Sequence, residues 1–144
     1  MKKVVYCCPI TKQPLKIKDN ALTNESGVSY QLLPSSAGHD IAVFISESEL
    51  SGGDVVSRAM YTKNNAEESY DNFLSWLFKT FNEDEQKFRL SLIDRLHIRP
   101  NHKVLVTGCG LGDDLKHLYP LVSESGELFA QDLSDLMVAA AARR

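Results

Sequence analysis

The sequence has few of the features that mark several large classes of protein. It contains three cysteines, two of them adjacent at Cys7 and Cys8, which cannot form an even framework of disulfide bonds. No apolar run approaches the ~18 residues that span a bilayer, and the apolar stretch that follows Lys3 is too short for a signal peptide. These absences predict a cytosolic chain whose thiols stay reduced.

The chain also has only a small excess of charge of one sign. Sixteen Lys and Arg against nineteen Asp and Glu give a net charge of −3, so the chain as a whole lacks the basic character of a nucleic-acid-binding domain. Only residues 1–46, with five lysines and three acidic residues, carry a small positive excess. The hydrophobic content of 43% is ordinary for a globular protein, and 144 residues predict one domain or two small ones.

Residues 1–50 are predicted to form a small β-rich module. Short alternating segments are separated by turn residues such as Asp19-Asn20, a pattern typical of hairpins. The predicted strands cover residues 15–17, 21–23, 28–30 and 41–45. Residues 46–57, which include Gly52-Gly53, are predicted to be a linker.

The period of the pattern changes over residues 51–100, which we predict to be the linker and a helical segment. Six large apolar residues recur at helical spacing and predict a helix from about Ala66 with one buried face. They are Tyr70, Phe73, Leu74, Leu77, Phe78 and Phe81. A second helix is predicted after Asn82 as N-cap, and it ends before Pro100. Its predicted buried residues are Phe88, Leu92, Ile93 and Leu96. Trp76 and the other aromatic residues are predicted to pack in the core.

Residues 101–144 predict strand, glycine turn, helix, strand and helix. The strands cover 103–107 and 127–131, the first helix covers 113–119 and ends at Pro120, and Ser134 caps the last helix, which begins at Asp135. This order is half of an open parallel α/β sheet. Such a sheet buries both faces of its strands. We therefore expect this sequence to be part of a longer protein, and the chain by itself to self-associate.

The glycine turn holds the residues that are candidates for ligand binding. Gly108, Gly110 and Gly112 form G-x-G-x-G, whereas a dinucleotide fingerprint needs its third glycine where this chain has Asp113. Asp132 follows the second predicted strand, 24 residues after Gly108, where a carboxylate accepts the hydroxyls of a ribose. The pattern favours an adenosine-type ligand over a nicotinamide dinucleotide.

A phosphate is disfavoured at the same place. Asp113 and Asp114 stand at the predicted helix N-terminus, where a pyrophosphate would otherwise bind. A nucleoside without phosphate fits this part of the sequence better.

These residues resemble a known family. Residues 103–112 and 126–134, followed by Met137 and residues 140–143, resemble the first βαβα unit of class I S-adenosylmethionine-dependent methyltransferases, closest to the ubiquinone and menaquinone biosynthesis type. The resemblance implies a Rossmann-like sheet, S-adenosylmethionine as cofactor, and an acceptor site with any catalytic residue on later strands, so none is assigned here. It implies cofactor binding by Gly108, Cys109, Gly110, Gly112, Asp132 and Leu133. Val106 departs from the family, which carries an acid two residues before the first glycine.

The N-terminal module resembles a small zinc ribbon that lacks its metal. Cys8-Pro9-Ile10-Thr11 has a threonine where a zinc knuckle has its second thiolate, and Asn24 and Ser26 stand near the second knuckle. His39 does not complete a site, so no metal is predicted. The same stretch also resembles, more weakly, the start of a U-box, a zinc-free ubiquitin-ligase fold.

Three functions follow for the chain. The first is methyl transfer to an acceptor that the sequence does not identify. The second is a non-catalytic binding or scaffold module with a degenerate methyltransferase-like fold. The third is a nicotinamide-dependent oxidoreductase, which the third position of the glycine motif disfavours. Cys109 is predicted to be a small residue packed beside the cofactor, because no base accompanies it as a nucleophile would require.

Overall fold

The structure, a computed structural model, describes residues 5–35 and 40–144. The chain forms two compact units, Met1–Leu50 and Ser51–Arg144. The fold is mixed α/β: the described residues form a small antiparallel sheet in the first unit, and five α-helices with a two-stranded parallel sheet in the second.

The first unit is an antiparallel meander, as the turn pattern predicts. Its strands are β1 (Lys16–Lys18), β2 (Ala21–Thr23), β3 (Ser29–Leu33) and β4 (Ile41–Ala42), in the order β1-β2-β3-β4. Asp19 and Asn20 both have positive φ, 48° and 60°, which suits a two-residue hairpin turn between β1 and β2. The strand predicted over 41–45 is shorter than expected, because pairing with β3 stops after two residues.

A small apolar core holds this unit together. The buried residues are Cys8, Leu15, Leu22 and Leu32, and the partly buried Tyr6, Val28, Tyr30, Ala42 and Phe44 pack against them. The rings of Tyr30 and Phe44 meet edge to face with centroids 5.1 Å apart, an arrangement that aromatic pairs prefer.

The second unit begins with three helices, α1 (Gly53–Tyr61), α2 (Ala66–Thr80) and α3 (Glu85–Asp94). The linker prediction over 46–57 is therefore wrong in its second half. Gly52 does break the chain, with φ 51°, but α1 starts directly after it. Arg58 of α1 forms an ion pair with Asp135 at 3.1 Å, and this tertiary contact is invisible in the local sequence.

Helix α2 begins at Ala66 as predicted, but the cap of α3 is not Asn82. Asn82 has φ 52° and lies just beyond the C-terminus of α2. Asp84 is the N-cap, and its side chain accepts a hydrogen bond from the backbone N–H of Lys87 at 2.8 Å.

The predicted burial of the apolar helix faces is wrong for most of their residues. On α2 and just after it, Phe73, Trp76 and Phe81 are exposed. Ile93 is the buried member of the set predicted for the second helix, while its other three members are exposed. The described residues of this unit therefore leave one side of α2 and α3 uncovered.

Trp76 gives a direct test of this exposure because it is the only tryptophan in the chain. Its side chain is 60% exposed, so we expect fluorescence typical of a hydrated indole and efficient quenching by iodide in the folded protein. Unfolding in urea should then shift the emission only slightly. A blue emission that iodide does not quench would contradict the exposed position of Trp76.

The last four elements are β5 (Lys103–Thr107), α4 (Leu115–Val122), β6 (Glu127–Gln131) and α5 (Asp135–Arg143). Both strands have their predicted bounds and pair in parallel, each residue of β5 opposite the residue 24 positions later. Helix α4 runs two residues beyond Pro120, so the predicted stop is wrong. None of the helices in the described ranges has the length and apolar character that crossing a bilayer requires.

One face of the parallel sheet is exposed. Leu105 and Phe129 lie opposite each other in the ladder, and they are 58% and 39% exposed. Val104 and Val106 alternate with them and are half-buried. Since side chains alternate between the faces of a strand, the helices of this unit cover one face of the sheet and leave the other open.

The turn that leads into β6 is unusually tight at Gly126. A Cβ atom at Gly126 would lie 2.5 to 2.6 Å from the carbonyl oxygens of Val122, His102 and Pro100. The backbone N–H of Gly126 donates to Val122 O at 3.0 Å. The start of β6 therefore depends on a residue without a side chain.

Candidate functional site

The glycine loop joins β5 to α4 at the carboxyl end of the parallel sheet. Because the two strands are parallel, this edge also holds the end of β6 and the residues that follow it. Gly108, Gly110 and Gly112 have φ of 65°, 52° and 81°, the left-handed region that favours glycine. The backbone of the loop therefore favours glycine at all three positions of the motif.

Asp132 fastens this loop to the end of β6. Its Oδ2 accepts a hydrogen bond from the backbone N–H of Gly110 at 2.9 Å, and its Oδ1 accepts one from the N–H of Ser134 at 2.9 Å. The N–H of Cys109 donates to Gln131 O at 2.9 Å and ties the loop to the same strand. The sequence predicts a ribose acceptor here, and the structure adds that Asp132 also holds the loop in shape.

The three glycines have different surroundings. A Cβ at Gly112 would lie 2.9 Å from the Cβ of Ala141, so helix α5 packs directly on the loop. A Cβ at Gly110 would lie 3.2 Å from the hydroxyl oxygen of Tyr70. A Cβ at Gly108 would meet nothing within 4 Å. Gly108 is therefore the position of the loop with open space beside it.

Two tyrosines near the loop are absent from the sequence-predicted site. Tyr61 and Tyr70 pack against the buried cluster of Ala66, Leu111, Met137 and Ala140. Their rings meet edge to face with centroids 6.1 Å apart. Burial raises the pKa of Tyr70, with smaller effects from nearby charges that include Asp132. Helical spacing identified Tyr70 only as a core residue, since nothing local to α2 signals a loop forty residues later.

Ser134 links the same loop to the helical segment. Its hydroxyl is buried, donates to Tyr61 O at 2.8 Å and accepts from the N–H of Met137 at 3.3 Å, which confirms it as the N-cap of α5. Leu133, predicted to contact the cofactor, lies half-buried between Asp132 and this cap.

Cys109 is unsuited to nucleophilic chemistry. Burial and, secondly, the nearby charge of Asp132 raise the pKa of its thiol to about 11. The thiolate is therefore scarce at neutral pH. This environment agrees with the prediction that Cys109 is a small packed residue of the loop.

An ion cluster lies on the α4 side of the loop. Arg89 of α3 contacts Asp114 at 2.8 Å, Glu85 at 2.7 Å and Asp113 at 3.8 Å. Lys116 also approaches Asp113, at 3.7 Å. Asp114 precedes α4 without capping it through its side chain. Arg89 and Lys116 therefore offset part of the negative charge of the two carboxylates that precede α4.

In the first unit, the two turns that resemble zinc knuckles are joined by hydrogen bonds. Cys8 Sγ accepts from the N–H of Thr11 at 3.3 Å, and the Asn24 amide donates to the hydroxyl of Thr11 at 3.4 Å. Within residues 5–35 and 40–144, no group of three or more His, Cys, Asp or Glu side chains is placed to bind a metal ion. His39, weighed as a ligand from the sequence, lies outside the described residues.

The contact between Cys8 and Tyr30 predicts how the stability of the first unit depends on pH. Hydrogen bonds from Thr11 and from Tyr30, whose oxygen lies 3.2 Å from Sγ, lower the Cys8 pKa from 9.0 to about 7, and the same contact raises the Tyr30 pKa from 10.0 to about 12. A lowered thiol pKa adds stability that is lost as pH falls through 7, whereas a raised phenol pKa adds stability that is lost as pH rises through 12. The unit should therefore gain stability between pH 7 and 9 and lose it between pH 10 and 12.

This pH dependence can be measured by urea unfolding and by thiolate absorbance. In a Cys7→Ser chain the two remaining thiols, Cys8 and Cys109, should titrate far apart, at pKa about 7 and about 11. Tyr30→Phe should raise the lower pKa, and Tyr6→Phe should leave it unchanged. A lower pKa that does not respond to Tyr30→Phe would show that the hydroxyl does not stabilise the thiolate.

The sequence matches no family model, and no curated protein is similar to it at a significant level. The function of the site therefore has to be argued from its own residues.

Proposed function

We propose that the second unit carries the cofactor-binding half of a class I, Rossmann-like S-adenosylmethionine-dependent methyltransferase. One observation supports this most strongly. The carboxylate of Asp132, at the end of β6, is hydrogen-bonded to Gly110 in the loop at the end of β5. The acid and the glycine loop thus occupy the same edge of a parallel sheet, where α/β proteins bind nucleoside ligands.

The residues present have the capacity to hold an adenosine-type ligand. A carboxylate offers about four lone-pair sites, and each oxygen of Asp132 accepts a hydrogen bond from one backbone N–H, so acceptor capacity remains for a ribose diol. Gly108 leaves space beside the backbone for a ligand to approach without meeting a side chain. The hydroxyl end of Tyr70 lies beside Gly110, 3.2 Å from the place a Cβ of that residue would occupy.

The cofactor would supply a methyl group already activated by its sulfonium. This chain would bind and orient that donor and keep water away from it, which lowers the barrier by positioning. The proposal assigns no residue of the chain to binding the methyl acceptor or to proton transfer. It includes a cytosolic location for the protein.

The alternative of a non-catalytic binding module is favoured by Val106. The resemblance puts an acid at this position, but Val106 is a half-buried residue that lines an apolar groove along β5. On this view the glycine loop is a relic, the second unit is a degenerate scaffold, and the ribbon-like first unit recruits a partner. The oxidoreductase alternative would need a dinucleotide to bind despite Asp113 in the third glycine position.

Calorimetric titration of S-adenosylhomocysteine separates these functions, with NADH titrated in parallel. Methyltransferase function predicts micromolar binding of the first ligand and none of the second. Asp132→Ala should abolish binding. Glu124→Ala removes an exposed carboxylate at the other end of the strands and should leave binding unchanged.

A second variant keeps the loop anchored. Gly108→Ala adds a methyl group to open space, so its cost to the fold is the strain of positive φ, about 1 kcal/mol. It should nevertheless weaken S-adenosylhomocysteine binding about tenfold or more, because the methyl group occupies the approach to the loop. Binding of neither ligand by the folded wild-type chain would favour the scaffold function, and binding of NADH would favour the oxidoreductase.

A further inference from the structure

Tyr70 of α2 places a hydroxyl beside the glycine loop. Its oxygen and Cζ lie 3.2 Å and 3.3 Å from the position that a Cβ of Gly110 would occupy. The ring meets that of Tyr61 edge to face, with centroids 6.1 Å apart, and it packs against the buried cluster that includes Leu111 of the loop. Packing against α1 and against the loop therefore holds this hydroxyl in place.

The Tyr70 hydroxyl is available as a hydrogen-bond donor. Within residues 5–35 and 40–144 it has no hydrogen-bond partner. Burial raises the pKa of Tyr70, so the hydroxyl keeps its proton at neutral pH. Polar side-chain atoms that leave the solvent usually have a partner in the protein or in ordered water. A donor at the loop without a protein partner is therefore placed to bind a ligand.

Asp132 and Tyr70 are chemically complementary to the same kind of group. Asp132 Oδ2 accepts from the N–H of Gly110 at 2.9 Å, so the carboxylate and the phenol hydroxyl both lie against this residue of the loop. The ionised carboxylate can only accept hydrogen bonds, whereas the phenol hydroxyl can donate one. A sugar hydroxyl does both. A ribose oxygen at this place can therefore donate to Asp132 and accept from Tyr70 at the same time.

We propose that Tyr70 is a ligand-binding residue of this site, whose hydroxyl donates a hydrogen bond to a ribose oxygen that itself donates to Asp132. This inference rests on the proposed function, because it takes the ligand to be a nucleoside with an unsubstituted ribose. It assigns a residue of α2 to the site, so the helical segment takes part in ligand binding and does more than precede the sheet.

Tyr70→Phe removes the hydroxyl and keeps the ring. Because the hydroxyl has no partner within the described residues, the urea midpoint of the second unit should stay the same or rise slightly. The affinity for S-adenosylhomocysteine, measured by calorimetry, should nevertheless fall about three- to tenfold, which is the usual contribution of one hydrogen bond between uncharged groups. Binding and stability are thereby separated in a single variant.

A second ligand tests which part of the nucleoside the hydroxyl contacts. 5′-Methylthioadenosine has the ribose of S-adenosylhomocysteine but lacks its amino-acid part. Its affinity, measured by competition with S-adenosylhomocysteine, should fall by the same factor in Tyr70→Phe. Tyr119→Phe is the matched control, since it removes the hydroxyl of a tyrosine on α4 that is 72% exposed, and it should change neither affinity.

The outcomes separate this inference from the function on which it rests. Equal affinity of the wild-type and Tyr70→Phe chains for S-adenosylhomocysteine overturns the inference and leaves the proposed function standing. A loss confined to S-adenosylhomocysteine places the hydroxyl against the amino-acid part and overturns the ribose contact. An equal loss in Tyr119→Phe shows that the effect is not specific to Tyr70 and overturns the inference as well. A wild-type chain that binds neither nucleoside overturns both.

Discussion

Gly126→Ala should destabilise the second unit by about 3 kcal/mol or more. The added methyl group would lie within 2.6 Å of three backbone carbonyl oxygens, those of Val122, His102 and Pro100. None of these is the mobile end of a side chain, so relief requires the turn and the start of β6 to move. The loss should appear in urea unfolding followed by helical circular dichroism, because the described α-helices all belong to this unit.

Gly53→Ala is the matched control for this substitution. Gly53 is the first residue of α1, and a Cβ there meets nothing within 4 Å. The change should be neutral or should stabilise the unit by up to about 1 kcal/mol, since alanine is the better helix former. Equal effects of the two substitutions would show that the crowding at Gly126 does not exist in solution.

Arg89→Met should cost the same unit about 2 kcal/mol. The Arg89 side chain is 16% exposed and pairs with Glu85, Asp113 and Asp114, so its removal leaves half-buried carboxylates close together without their main cation. Methionine keeps much of the apolar contact of the arginine stem. The loss of stability should therefore come from the lost charge and hydrogen bonds and not from a cavity. It should be measurable in the same urea unfolding experiment.

Arg143→Met tests whether losing an exposed ion pair of this unit costs as much stability as losing the Arg89 cluster. Arg143 pairs with Glu67, and both side chains are about half exposed. Water and salt screen such a pair, so its loss should change stability by no more than about 0.5 kcal/mol. A cost as large as that of Arg89→Met would mean that partial burial is not what makes the Arg89 cluster matter.

The elements that the sequence predicts best are those whose signals are local. Strands β5 and β6 have their predicted bounds, and the cap at Ser134 is confirmed, because short apolar runs between turn residues and a capping serine are signals that act over a few residues. Helix α1 was missed because Gly52-Gly53 resembles a linker and its tie to Asp135 spans 77 residues. The burial of Trp76 was wrong because periodicity shows that a face is apolar, but not that anything covers it.

In the candidate site, too, the features with local signals could be predicted from the sequence, and those that depend on tertiary packing could not. Glycine spacing and the acid after the second strand identified Gly110 and Asp132 without the structure. Their hydrogen bond and the crowding of Gly110 by Tyr70 depend on the parallel pairing and on the helix packing. The Arg89 cluster was missed for the same reason, because Arg89 precedes Asp114 by 25 residues and nothing in the sequence around either residue indicates the other as its partner.

The strand pairings of the two units differ in the length of chain that must close before they form. In β1 and β2 the paired residues are 3 to 7 positions apart, whereas every pair in β5 and β6 spans 24 positions and encloses a helix. Closing a longer loop has a larger entropic cost before any contact compensates for it, and folding rates fall as contacts become less local. The first unit should therefore acquire its sheet early, while the glycine loop takes shape only after the parallel pair and Asp132 have come together.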